Sequence, residues 1–312
     1  MHPSRVHVAL SLAVLVGLVG LVGLVGLVGL VSLVGCSASS GRAGYEDSQP
    51  TPLGEATPTT PPPGGFDNNP VKLPATPPGE VNEVFGHSSS SLFRLDPKTN
   101  TVTEVGRFTG CTSIIDIALD ESSTLFAVSF TGLYIVDKAS AKCTSVATGA
   151  YPNSLSFVPK GTVDANAEAL VGYVDADYVR IDTKTGAQTK IGTLGGGLKS
   201  SGDIVSVKGG KTFLTVKGTG NNCTANDCLV KIDPASGKLA KNWGSIEHHN
   251  VFGLSFWGGK VYGFDDSGGL FEVTFGSSSI TTTTIAIPAK PANLSFWGAG
   301  SSTSAPLVQP TK

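Results

Sequence analysis

The chain has 312 residues, with 24 acidic side chains against 22 basic ones, for a net charge of −2 at neutral pH. That balance carries no electrostatic footprint for nucleic acid. The length leaves room for one sizeable core, and the body, rich in Gly, Ser, Thr and Val, shows no long run of helical periodicity.

The amino terminus opens with a short basic start at Arg5, flanked by His2 and His7, and then runs without a charge from Val8 to Val34. This run of Leu, Val and Gly exceeds the ~7–15 residues of an ordinary export signal. It is also long enough for the ~20 residues that a bilayer span requires. It ends in Leu33-Val34-Gly35-Cys36, followed by Ser37 and other small or polar residues. Those four residues resemble the cleavage and lipidation site of a bacterial lipoprotein. The resemblance implies removal of residues 1–35 and covalent lipid on Cys36, with several acyl chains each contributing ~0.8 kcal/mol per buried CH₂. Retention of the apolar run as a transmembrane anchor is the alternative. Either way the body is exported and tethered to the cell envelope. Ser37, in place of Asp, implies outer-membrane sorting if the source is Gram-negative.

Residues 36–80 read as a Ser/Pro/Thr-rich disordered linker, as in Thr57-Pro58-Thr59-Thr60-Pro61-Pro62-Pro63. Too few apolar side chains occur there to offset the entropy of ordering the chain. Proline favours extended geometry, so the segment is expected to act as a partly stiff spacer.

From residue 81 to about 300 an internal repeat sets the expected fold. One unit, apolar-apolar-x-apolar-Asp and then a turn, reads Leu92-Phe93-Arg94-Leu95-Asp96. It returns at Leu133–Asp137, Tyr178–Asp182 and Leu229–Asp233, with a degenerate copy at Leu270–Thr274. Each Asp opens a turn such as Asp96-Pro97-Lys98-Thr99-Asn100, where a carboxylate can accept from backbone N–H groups two residues on. The start-to-start steps are 41, 45, 51 and 41 residues, the period of propeller blades. A second element places a small residue between two apolar ones: Ile117-Ala118-Leu119, Leu155-Ser156-Phe157, Val205-Ser206-Val207, Leu254-Ser255-Phe256 and Leu294-Ser295-Phe296. That suits the innermost strand of each blade. The sequence therefore predicts an all-β, five-bladed β-propeller. Its blades fall near 81–107 plus 291–297, 113–148, 152–192, 201–243 and 251–287. The carboxy-terminal strand at 291–297 is expected to close the ring beside residues 81–85, leaving 301–312 as a flexible tail. The "strand, Asp-Pro-x-Thr-Gly, strand" pattern resembles propellers of the quinoprotein and YncE-like kind, a likeness that implies fold and not activity.

Four cysteines lie in this body. In an exported chain an even number suggests disulfides. Cys223 and Cys228 flank a short polar loop and are expected to pair, which leaves Cys111 with Cys143; a zinc site is the rival reading. Candidate binding residues are those that a propeller would gather on one face: Glu247, His248, His249 and Asn250 from one loop, Asp175 and Asp177 from a second, Asp265 and Asp266 from a third. Metal ligation by the histidines would need a third ligand such as Asp265 or Asp175. Calcium at the aspartates lacks any dedicated loop spacing, so no metal or cofactor is expected beyond the lipid. Phe256-Trp257 and Phe296-Trp297 recur and read as blade packing, whereas Trp243 is less constrained.

No catalytic motif of high specificity occurs, and no catalytic residue is assigned. The expected function is a monomeric, non-catalytic module on a lipid anchor that binds an envelope protein or glycan. The alternative is a carbohydrate- or lactone-acting hydrolase or lyase, using Glu247 with Asp175, Asp203 or Asp265 as paired carboxyls.

Overall fold

The computed structural model describes residues 83–219 and 223–310. The export signal, Cys36 and the linker lie outside the described residues. Within them every regular element is a strand, and the strands form five four-stranded antiparallel sheets. Blade 1 comprises β1 (Val84–His87), β2 (Ser91–Asp96) and β3 (Thr101–Arg107), completed by β20 (Gly298–Ser301). Blade 2 is β4 (Ile114–Leu119), β5 (Leu125–Ser129), β6 (Gly132–Val136) and β7 (Cys143–Thr148). Blade 3 is β8 (Leu155–Val158), β9 (Ala169–Val174), β10 (Asp177–Ile181) and β11 (Gln188–Thr193). Blade 4 is β12 (Leu198–Ser206), β13 (Thr212–Gly218), β14 (Cys228–Ile232) and β15 (Leu239–Ser245). Blade 5 is β16 (Val251–Trp257), β17 (Lys260–Asp265), β18 (Leu270–Phe275) and β19 (Ile280–Thr284). The innermost strands β4, β8, β12, β16 and β20 neighbour one another in a closed circle. The fold is a five-bladed β-propeller.

Its core is divided into five clusters, each between two neighbouring blades. Alternation places them: in β4, Ile117 and Leu119 face blade 1 while Ile115 and Ala118 face blade 3. Burying a side chain of this size contributes ~1.5–3 kcal/mol. The repeated aspartates form the expected turns. Asp96 accepts from the Lys98 N–H (2.9 Å), Asp137 from Ala139 (2.8 Å), Asp182 from Lys184 (2.9 Å) and Asp233 from Ala235 (3.1 Å). Each turn ends in a left-handed residue, at Asn100, Ala141, Gly186 and Gly237.

Three expectations are corrected. First, ring closure occurs between the two ends of the domain, but the closing strand is Gly298–Ser301, paired residue for residue with Val84–His87, and not 291–297. Leu294-Ser295-Phe296 carries the apolar pattern of an inner strand because Phe296 is a core plug. Its ring meets Phe93 and Phe264 edge-on, at centroid distances of 6.2 and 5.0 Å. Second, in blade 4 the inner triplet is Ile204-Val205-Ser206, one residue earlier than read from the sequence. Val205 and Val207 face blade 5, and Ile204 faces blade 3; a one-residue shift exchanges the faces of a strand. Third, the tail is packed. Ser302, Thr303 and Ala305 are buried. The segment crosses the ring end to touch four blades. Ser302 Oγ donates to Asp120 O (2.8 Å), Thr303 Oγ1 bonds Glu168, Lys208 N–H donates to Thr303 O (2.8 Å), and Gly259 N–H donates to Pro306 O (3.2 Å).

Candidate functional site

The amino-terminal ends of the inner strands meet at the propeller axis, and there the sequence places charge inside apolar runs. Asp116 interrupts Ile114-Ile115-Asp116-Ile117, and Asp203 precedes Ile204-Val205. Register shifts fall just there, at Ile114/Asp116 in β4 and Ser200/Ile204 in β12, with a third at Val251/Gly253 in β16. Bulges re-aim side chains. Both carboxyls are fully buried.

Each carboxyl bridges blades. Asp116 accepts from its neighbour Ile117 N–H (2.8 Å) and from Leu155 N–H of blade 3 (2.6 Å). Asp203 accepts from Ile204 N–H (2.6 Å) and from Leu254 N–H of blade 5 (2.6 Å). Burial, with the Asp203 charge as a second cause at Asp116, holds both groups well above the usual carboxylate range. His87, also fully buried, stands 4.0 Å from Asp116 through Nε2. Its Nδ1 bonds Ser88 O (2.8 Å), and its Nε2 has no hydrogen-bond partner. Burial lowers its pKa to about 4, so the ring is neutral. Gly298 is wedged against this pair: a Cβ there would lie 2.3 Å from His87 Nε2 and 2.4 Å from Asp116 Oδ1. Among the described residues no three His, Cys, Asp or Glu side chains are placed to hold a metal ion.

The residues singled out from the sequence separate into two groups at this same end. In blade 5, His248 Nδ1 faces Asp265 Oδ2 at 3.4 Å while its ring stacks on Phe271 at 3.9 Å. Asn250 Nδ2 donates to Asp266 Oδ2 at 2.9 Å. Asp265 is mostly committed to its own turn, accepting from Ser267 and Gly269. Glu247 and His249 are exposed beside them. Asp175 and Asp177 stand apart on blade 3, paired with Lys199 (3.9 Å) and Lys190 (2.7 Å). Asp203, weighed as half of a carboxyl pair with Glu247, is sealed inside the axis.

Three side chains went unrecognised in the sequence: His87, Asp116 and Asp227. Asp227 sits in the loop bounded by the Cys223–Cys228 disulfide; the second disulfide joins Cys111 to Cys143, so both pairings are as expected. The Asp227 carboxylate accepts from Ser201 Oγ (2.6 Å) and Val251 N–H (3.0 Å). Its backbone binds His248 O and Ile246 N–H. It therefore fixes the loop that carries His248. The available signal was an acidic residue next to a cysteine-bounded turn, or one inside an apolar strand.

Comparison with known proteins adds outlines only. No family model matches the chain, and no curated protein does. Among solved structures it is similar to a chain of a nidogen/laminin complex, at 10% identity over 70% of this chain and 97% of that one, with a TM-score of 0.41. A gluconolactonase from Xanthomonas campestris gives 13% identity over 70% and 76% of the two chains, with a TM-score of 0.42. An oligogalacturonate lyase in complex with manganese gives 14% identity over 64% and 61%, with a TM-score of 0.33. Scores of this size carry no argument about activity, and the fold rests on the sheet topology of this chain.

What solvent meets at the two ends of the propeller differs. The end with the buried carboxyls presents three of the exposed large apolar side chains, Phe130 (56% exposed), Val174 (44%) and Trp297 (43%). They belong to three different blade connections. Trp297, whose N–H donates to His87 O (2.7 Å), immediately precedes the inner strand β20. The opposite end carries the packed tail and Glu83, where the described chain begins. A cavity of about 600 Å³ there is lined by Arg94, Asp96, Lys98 and Trp257 among others; Arg94 reaches Glu83 at 3.7 Å.

Proposed function

We propose that this chain is an envelope-anchored binding module. Lipid on Cys36 holds it at a membrane, residues 37–80 act as a spacer, and the propeller offers the end bearing Phe130, Val174 and Trp297 to an envelope protein or glycan. The supporting observation is how the axial carboxyls are used. Asp116 and Asp203 are buried and saturated with backbone N–H donors, so they cannot meet a substrate, while apolar surface is exposed around them. Exposed aromatic side chains at loop tips on a rigid scaffold are what a contact surface uses. The described chain enters the ring at the other end, through Glu83.

A second reading, a hydrolase or lyase acting on a carbohydrate or lactone, has one observation in its favour: a histidine oriented by a carboxylate at the same end, His248 with Asp265. A photo-crosslinking residue at position 297, compared with one at position 307 on the opposite end, tests the binding reading in intact envelopes. Adducts from 297 and none from 307 are expected; equal labelling sinks it. Palmitate incorporation that survives Cys36→Ala would refute the anchor.

A further inference from the structure

We propose that the cavity at the Glu83 end of the propeller is a second binding site, and that it takes a hexuronate, a small sugar acid with one carboxylate and several hydroxyls. The site lies at the end of the ring opposite Trp297. It therefore goes beyond the contact surface proposed above and stands or falls without it. Its volume is about 600 Å³, inside the ~300–1,000 Å³ range of small-molecule sites.

The first observation is a buried donor without an acceptor. Trp257 ends the inner strand β16 and packs in the core cluster between blades 5 and 1, with 1% of its surface exposed. It also forms part of the cavity wall. Its Nε1 has no hydrogen-bond partner among the described residues. An unpaired buried N–H is costly, and each such group in a native fold calls for an explanation. An oxygen brought by a ligand in the cavity supplies one. The strand end behind the indole is fixed: Gly258 and Gly259 take left-handed conformations, and Gly259 N–H donates to Pro306 O of the packed tail (3.2 Å).

The second observation is which charges on the wall are already used. Glu83, Arg94, Asp96 and Lys98 all line the cavity. The two carboxylates are committed. Glu83 Oε2 accepts from Lys138 Nζ and Ser123 Oγ, and Asp96 Oδ1 accepts from the Lys98 N–H of its own turn (2.9 Å). The cations are freer. Arg94 stands 3.7 Å from Glu83 with half of its side chain exposed. Lys98 Nζ makes no hydrogen bond among the described residues. The spare capacity is thus cationic and donating, the complement of an acceptor-rich anion. The planar fork of Arg matches a carboxylate. Two cations against two carboxylates leave the wall near neutral, which suits a single negative charge better than a phosphate ester. Thr101 and Thr103 stand opposite Asp96 and Arg94 on the paired strand, with Thr99 beside them in the turn. Hydroxyls on the wall match hydroxyls on the ligand, which selects a sugar acid over a fatty or aromatic one.

The test is calorimetric titration of the full chain with glucuronate and galacturonate, against glucose and a glucose phosphate. Saturable binding of at least one of the two acids is expected, about tenfold or more tighter than that of glucose or the phosphate ester. Arg94→Gln is expected to weaken that binding about tenfold or more without moving the unfolding midpoint. Trp257→Phe, which keeps an aromatic ring and removes the N–H, is expected to weaken it about three- to tenfold. No saturable heat from either acid up to about 10 mM, equal binding of glucose, tighter binding of the phosphate ester, or wild-type affinity in Arg94→Gln would each overturn the proposal. If Trp257→Phe does not fold, Arg94→Gln and the glucose comparison still decide it.

Discussion

Ser302 donates its hydroxyl to the carbonyl of Asp120 at 2.8 Å, and this bond turns the chain from the closing strand across the propeller's opposite end. The segment beyond it binds connections of blades 3, 4 and 5 as well. Deleting residues 302–312 is therefore expected to destabilise the domain. Four lost hydrogen bonds at ~0.5–1.5 kcal/mol each give about 2–6 kcal/mol. A chemical denaturation curve of the truncated chain checks this; an unchanged midpoint would return the tail to the status of an ornament.

Gly298→Ala is expected to destabilise the domain more than Gly300→Ala in the same strand. The new Cβ would meet His87 Nε2 at 2.3 Å and Asp116 Oδ1 at 2.4 Å, and both partners are buried and already fixed. Overpacking costs typically ~1–3 kcal/mol, and displacing Asp116 adds the loss of its bond to blade 3. Gly300→Ala, whose nearest contact is 3.0 Å from Ile117 O, is the milder comparison. The order of the two unfolding midpoints decides the matter.

The blade repeat was legible because each unit carries the same local chemistry: an apolar pair, then an aspartate that closes a turn on its own backbone. The disulfide pairs were legible from the even count of body cysteines and the short spacing of Cys223 and Cys228. The closing strand was not, for a physical reason. At the axis the strands crowd, and Gly298-Ala299-Gly300-Ser301 is chosen for smallness, so it carries almost no apolar signal. Phe296, two residues before that strand begins, shows a strong signal because it fills the core. The loop of His248 meets Asp265 and Asp266 through His248 and Asn250, contacts between two loops of one blade. Asp116 and His87 escaped notice because their roles depend on bulges and on strands from other blades, which no local pattern encodes.

Asp227→Ala is expected to free the loop that carries His248. The carboxylate of Asp227 holds Val251 N–H and Ser201 Oγ, and hydrogen bonds to a charged group contribute ~1.5–3 kcal/mol each. Global stability should fall by about 3–6 kcal/mol, and hydrogen exchange at Val251 should accelerate more than exchange at the blade 2 strands. Uniform acceleration throughout would mean that Asp227 acts on the ring and not on the loop.

On the acid side His87 dominates the expected behaviour. Its folded value is about 4 against an ordinary 6.5, because burial disfavours the cation. A lowered histidine contributes stability that is complete above 6.5 and is lost as pH falls toward 4. At ~1.4 kcal/mol per unit the contribution is about 3 kcal/mol. Asp96, Asp182 and Asp233, held below the usual carboxylate range by their turn N–H groups and by hydroxyl donors, lose their contributions only at lower pH. His87→Gln, which can still donate to Ser88 O, should remove the downward slope that His87 contributes between 6.5 and 4 and leave the lower limb; Asp116 and Asp203, held above the usual carboxylate range, slope the other way in both proteins. Unfolding followed across both limbs separates them, and an unaltered upper limb in the variant would remove His87 from the account.

Trp297→Ser and Phe130→Ser separate contact from stability. Both side chains are about half exposed, and surface substitutions away from special features stay within about ±0.5 kcal/mol. Their unfolding midpoints should therefore remain near that of the wild type. Retention of envelope material, measured with a crosslinker placed at Val174 on the same end, should fall in both. Leu307→Ser, on the opposite end and 44% exposed, should leave it unchanged. The comparison works because apolar exposure is matched while location is not. If Leu307→Ser lowers retention as much as Trp297→Ser, general hydrophobicity explains the binding and the end of the ring that bears Trp297 has no special part in it.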